Sequence, residues 1–187
     1  MSANRETVQL RNYLREATAE KHDVLDSSVA QGSLTDRDRY TAFLQRQYLA
    51  RRPIELWFAE GRDEFAPPPP TAQLIAVDLD SLGAPVPAAA EDFAMPCGAD
   101  ALGAAWAIAG SQLGNRAMLG ALRKAGADLP TAFLGDKAMT DYWKALGPRL
   151  EVEVQRDTAD RAVLAADAVF AHFLLAFADD RIHRLAA

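Results

Sequence analysis

Residues 14–29 read Leu14-Arg15-Glu16-Ala17-Thr18-Ala19-Glu20-Lys21-His22-Asp23-Val24-Leu25-Asp26-Ser27-Ser28-Val29. Leu14, Thr18, His22, Leu25 and Val29 follow one another at steps of four, four, three and four. That spacing places all five on one stripe of an α-helix. A helix is predicted over residues 5–29, closed by Gln31-Gly32-Ser33, with His22 in line with core residues rather than out in solvent.

The rest of the chain repeats this logic. Glycine and proline punctuate it into helical blocks, and β-branched runs with period-two alternation are missing. A second helix is expected from Thr35 as N-cap, with Asp38 three residues on. It carries Tyr40, Phe43, Leu44 and Tyr48, and Pro53 should end or kink it before Ile54, Trp57 and Phe58. Pro67 to Pro70 is a stiff break. A short helix over 71–82 follows, with Gly83 as its C′ residue. Residues 84–98 read as loop, 99–125 as a long helix stopped at Gly126, and 129–149 as loop with one short helix over 140–146. A final helix over 158–185 carries Val163, Phe170, Phe173, Leu174 and Phe177. The fold class is all-α: a single-domain, multi-helix bundle spanning residues 1–187.

Composition limits the function. The 187 residues suit one domain. No apolar run of membrane-spanning length stands out, and residues 1–10 hold no apolar signal core. The expectation is therefore a soluble, cytoplasmic protein with no membrane partner. A formal net charge of −6 argues against nucleic acid as the main partner. The single cysteine, Cys97, excludes an intrachain disulfide and argues against a thiolate zinc site.

Two features carry chemistry. The first is His22. On spacing alone a core histidine satisfied by a hydrogen bond is the commoner case. Neutral imidazole is also a good axial ligand for iron, and one His suits a heme with an open coordination face. Asp26, at i+4, is placed to accept from the ring nitrogen not bound to metal. His172 and His183 are read as structural. A di-iron carboxylate site would need paired Glu-x-x-His motifs, and position 19 is Ala19.

The second feature is the glycine content of residues 99–125: Gly103, Gly110, Gly114 and Gly120. Each costs about 1 kcal/mol against alanine in a helix interior. Gly110 and Gly114, at i and i+4, bare the backbone on one face. Close helix packing is one reason for this, and approach of backbone to a flat ligand is another. Ser111, Gln112 and Asn115 are polar residues in the same turns.

Together these stretches resemble the heme oxygenase family of the bacterial, biliverdin-producing type. Leu14-Arg15-Glu16-Ala17-Thr18 followed by His22 resembles the family's proximal helix. Gly110-Ser111-Gln112-Leu113-Gly114 resembles its distal glycine motif. Residues 36–55, the segment Asp78-Leu79-x-x-Leu82-Gly83 and the stretch from Phe170 to Phe177 are similar over much of the remaining chain.

The resemblance implies a heme oxygenase-like bundle that sandwiches heme, as substrate and cofactor, between the first helix and the glycine helix. It implies oxidative opening of heme to biliverdin, carbon monoxide and ferrous iron, using O2 and an external electron donor such as a ferredoxin or reductase. A bilin-binding photoreceptor is a candidate recipient of the product. In this scheme His22 is the metal ligand, and Arg15, Thr18, Gly110, Gly114 and Lys144 bind the cofactor. Arg15 matches a basic residue that meets a propionate; Lys144 is a second, looser candidate. Ser111 and Asn115 support water that delivers a proton to the reacting oxygen. The chain departs from the family at two positions: Ser111 stands where animal members have an aspartate, and Asn115 replaces the second glycine of the usual pair. The latter leaves open a heme-binding or heme-carrying protein without turnover. A thiaminase-like enzyme would have to use Cys97, which lies in the proline-rich loop.

Overall fold

The computed structural model describes residues 6–29, 33–61, 66–88 and 92–178. In chain order these form β1 (Thr7–Gln9), α1 (Leu10–Ala17), α2 (Ala19–Val29), α3 (Arg37–Ala59), α4 (Ala72–Ser81), α5 (Ala101–Gly110), α6 (Gln112–Lys124), α7 (Ala138–Leu150), β2 (Glu153–Gln155) and α8 (Arg156–Ala178). The protein is therefore mostly helical. The expected helix start at Arg5, the turn at Gln31-Gly32, His183 and the end of the final helix lie outside the described residues.

One small sheet departs from the all-helical expectation. β1 and β2 pair antiparallel, with Val8 opposite Val154. Three-residue strands are too short to show alternation, and their partners lie more than a hundred residues apart in sequence, so no local pattern announces them. The ladder ties the start of α1 to the start of α8, and the Arg156–Glu6 ion pair at 2.7 Å closes the same corner.

The first helical block is not continuous. Thr18 separates α1 from α2, with φ −105° and ψ 1°. Its hydroxyl donates to the Leu14 carbonyl at 2.9 Å, one turn back. Such back-bonding competes with the helical ladder and bends helices. The glycine helix is interrupted in the same way. Ser111 divides α5 from α6, and its hydroxyl donates to the Ile108 carbonyl at 2.7 Å.

α3 begins one residue later than expected. Asp36, not Thr35, is its cap, accepting from the Arg39 N–H at 2.9 Å. Pro53 neither ends the helix nor stops its assignment, although it removes one ladder bond worth about 3 kcal/mol with its steric clash. Ala50, Pro53, Ile54 and Phe58 are all buried there, and that burial holds the turn. The short helix forms as α4, and Gly83 has φ +65°, as a C′ glycine needs. Its first amides, Thr71 and Ala72, donate to Glu55 of α3 at 2.6 and 3.0 Å. α7 is longer than the short helix expected over 140–146, with Pro148 in its last turn.

Two apolar clusters form the core. One gathers α1, the second half of α3, α5, α7 and α8 around Leu14, Ile54, Ala105, Met139 and Ala162. The other gathers the first half of α3, α4, α6 and the loop before α7 around Tyr40, Leu44, Ile75, Leu122 and Phe133. Asp78 pins that loop. Its buried carboxylate accepts from the Ala132 and Phe133 N–H groups at 2.8 and 2.9 Å.

α8 is the helix against which α1, α2, α3 and α5 all pack. By length and composition it is long and apolar enough to cross a membrane. This corrects the expectation that no segment approaches that character. About a third of this apolar window, 33%, is buried against neighbouring helices.

Candidate functional site

α2 and α5 each pack on α8. Between the α1–α2 side and the α5–α6 side lies a cleft of about 560 Å³, floored by Val169, Phe170 and Phe173 of α8. Arg15, Thr18, His22, Gly110, Ser111, Gly114 and Asn115 all line it. Every expected site residue except Lys144 therefore meets at one cavity.

His22 is not buried. Its side chain is 55% exposed, and α2 contains no buried residue. Leu14 and Thr18 at the head of the stripe are buried, whereas His22, Leu25 and Val29 face the cleft. The helical spacing was sound, but the stripe runs from core onto cavity wall. His22 Nδ1 lies 3.3 Å from Asp26 Oδ2. The ring edge meets Phe170 at 6.0 Å between centroids. One nitrogen is thus held by a carboxylate, and Nε2 is the free donor atom.

Gly103 differs from the two glycines of the cleft. A Cβ on Gly103 would stand 1.8 Å from the Ala162 carbonyl oxygen of α8. Gly103 is the packing glycine, because backbone meets backbone there. A Cβ on Gly110 would only touch the Trp143 ring at 3.6 Å, and one on Gly114 would meet nothing within 4 Å. The two cleft glycines are not required by helix packing.

The polar residues on the α5–α6 side of the cleft form two hydrogen-bonded sets. Ser111 accepts from Arg51 Nη2 at 2.6 Å while donating to Ile108. Arg51 Nε donates to Gln47 Oε1 at 2.9 Å, and Gln47 itself lines the cleft. Asn115 is buried and turned aside. Its Nδ2 donates to Gln112 Oε1 at 3.3 Å, and Gln112 Nε2 donates to the Asp136 carbonyl at 2.8 Å.

Arg15 is exposed at the cleft, and among the described residues it has no carboxylate partner. Arg11 shares that side, paired with Glu151 and set 5.7 Å over the Trp143 ring. Lys144 does not reach the cleft. It is exposed on α7, lies 3.3 Å from Asp141, and borders a separate depression between α6 and α7 with Arg116 and Arg123. The reason is its register: the neighbouring Trp143 takes the cleft-facing position on that helix. Cys97 is exposed and outside the cleft.

Sequence reading missed Gln47, Arg51 and Trp143. For the first two a signal exists: Tyr40, Leu44, Gln47, Arg51, Ile54 and Phe58 follow at steps of four, three, four, three and four. Two polar residues therefore stand in a stripe that is otherwise core. Compared with protein-family models, with curated proteins and with solved structures, the chain matches none.

Proposed function

We propose that this chain is a heme oxygenase with a heme oxygenase-like bundle, opening heme to biliverdin, carbon monoxide and ferrous iron. The observation that carries this reading is the meeting of His22, Gly110 and Gly114 at one cleft, from helices that share few contacts of their own. Its volume of about 560 Å³ falls within the range of pockets that bury a ligand of this size.

The residues present fit the group. His22 would hold the iron through Nε2, with Asp26 fixing the ring from the other side. Such ligation needs only one protein donor, so a cage of acidic or thiolate ligands is not required. Phe170, Phe173 and Val169 offer an apolar floor to the macrocycle. Arg15 is the cation available to a propionate, with Arg11 beside it. Heme, when bound, supplies both the ring to be opened and the iron that activates O2.

The chain's own part is positioning. Gly110 and Gly114 keep the distal wall thin. Ser111 holds water at the cleft through its hydroxyl, and Asn115, which also lines the cleft, is bonded to Gln112. Electrons come from an external donor, a ferredoxin or reductase, and a bilin-binding photoreceptor is the proposed consumer of the product.

The test is an optical titration with hemin, then reduction in air with catalase present to remove free peroxide. One equivalent of hemin should give a Soret band that His22→Ala loses or regains only with added imidazole. Bilin should then accumulate in wild type. A spectrum unchanged in His22→Ala sinks the assignment of the ligand; tight binding without bilin replaces the oxygenase with a heme carrier.

A further inference from the structure

Arg51 is a charge placed where core is expected. It is 1% exposed, flanked by the Phe133 and Phe173 rings at 5.0 and 5.7 Å, and among the described residues no carboxylate pairs with it. Its hydrogen-bond partners are all neutral: Gln47, Thr71 at 3.4 Å and Ser111. Burial pulls the guanidinium down to about 10, partly opposed by Glu55 and Asp136, so it stays a cation at neutral pH. A buried cation whose direct hydrogen-bond partners are neutral, and which meets Glu55 only through Thr71, is an expensive arrangement for stability alone.

Its partners show what it does to the cleft. Arg51 occupies the carbonyl end of the Gln47 amide and a lone pair of the Ser111 hydroxyl. Both residues line the cavity. With the Gln47 carbonyl engaged from behind, the group Gln47 retains for the cleft is its NH2 donor; the Ser111 O–H is given to the Ile108 carbonyl and becomes a donor to the cleft only on rotating away from it. A hydroxyl that accepts from a cation is also a stronger donor. We infer that Arg51, one layer behind the wall, makes the Ser111–Gln47 end of the cleft a binding site for a small anion, or for a small ligand that gains negative charge. This deepens the proposed oxygenase, where oxygen gains negative charge as electrons arrive, and it rests on that reading only for the identity of the ligand. Arg51 acts through Gln47 and Ser111 and is a positioning residue.

The experiment compares an anion with a neutral ligand of similar size. Azide is titrated into the full chain loaded with ferric heme, and carbon monoxide into the ferrous form. Arg51→Met, which keeps the bulk, should weaken azide by about tenfold, the loss of one charge-assisted contact. Carbon monoxide affinity should stay within about twofold, because that ligand carries no charge for the wall to attract. Arg51→Lys should recover part of the azide affinity. Ser111→Ala, which cuts only the link to the wall, should give an intermediate loss and answers the question should Arg51→Met fail to fold. Equal azide affinity in wild type and Arg51→Met, or parallel losses for azide and carbon monoxide, would overturn the inference. A separate arm uses the chain without heme. Formate should raise the unfolding temperature of wild type more than that of Arg51→Met, and equal responses overturn the anion site. Absence of a Soret band would defeat the oxygenase reading, and the formate arm would then decide the anion site alone.

Discussion

Gly103→Ala adds one methyl group at the crossing of α5 and α8. That carbon would stand 1.8 Å from the Ala162 carbonyl oxygen, 2.6 Å from its carbonyl carbon and 2.9 Å from its Cα. All three are backbone atoms, so no side chain can swing away. The helices must part by on the order of 1.5 Å to restore contact distance. α5 is held at its start by the Asp100 N–H donating to the Arg161 carbonyl at 3.0 Å, so parting also strains that bond. Overpacking of this kind costs about 3 kcal/mol, even after the gain of about 1 kcal/mol that alanine brings to a helix. For a chain of this size that is a fall of about 6–12 °C in Tm. Gly120→Ala is the control. It is exposed on α6, its Cβ would meet nothing within 4 Å, and it should stabilise by about 0.5–1 kcal/mol. Thermal and urea unfolding followed by circular dichroism read both. A Gly103→Ala protein as stable as wild type would refute the packing role and return Gly103 to the same class as Gly114.

Gly110→Leu should leave hemin binding at His22 intact while blocking or diverting turnover, since its Cβ faces only Trp143 and the longer side chain must enter the cleft; normal bilin production would show that the distal wall lies elsewhere. Arg15→Glu should weaken hemin affinity or shift the bilin isomer mixture, whereas Lys144→Glu should do neither, and equal effects of the two would contradict their separation by the structure. Asn115→Gly should hold or raise the rate of bilin formation, because Asn115 is drawn aside to Gln112; abolished turnover would make it a working member of the water network. Asp78→Asn should destabilise by about 2–3 kcal/mol in urea unfolding, because its amide group can accept only one of the two backbone N–H groups that Asp78 receives; a neutral result would mean that the loop before α7 does not depend on this carboxylate.

What the sequence shows of this fold is what local periodicity can carry. Helix positions followed from apolar spacing and from glycine and proline, and α4 with Gly83 behind it is the clearest case. The β1–β2 pairing was invisible because it depends on three-residue strands brought together by the whole bundle. Burial was misjudged at His22, since periodicity identifies a shared face but not whether core or cavity lies opposite it. Lys144 failed for a related reason: on α7 a shift of one residue decides which side chain enters the cleft, and Trp143 takes that place.

Breaks at Thr18 and Ser111 mark two walls of the cleft. Both helices that wall the cleft are interrupted at a hydroxyl residue that bonds back to a carbonyl of the preceding turn. Such an interruption bends a helix, and both interruptions border the cavity. On the third wall, α3 continues past Pro53 despite the ladder bond lost there, and places Gln47 and Arg51 in its core stripe. A stripe that is apolar except for one glutamine and one arginine a turn apart contradicts the rule that core positions are apolar, and such contradictions gather where function outweighs stability. The buried pair makes sense only with Ser111, sixty residues away, as its outlet to the cleft. Removing Arg51 would leave Gln47 Oε1 and Ser111 without their donor, so the cost of burying this charge stands against the hydrogen bonds it makes to two groups that line the cleft.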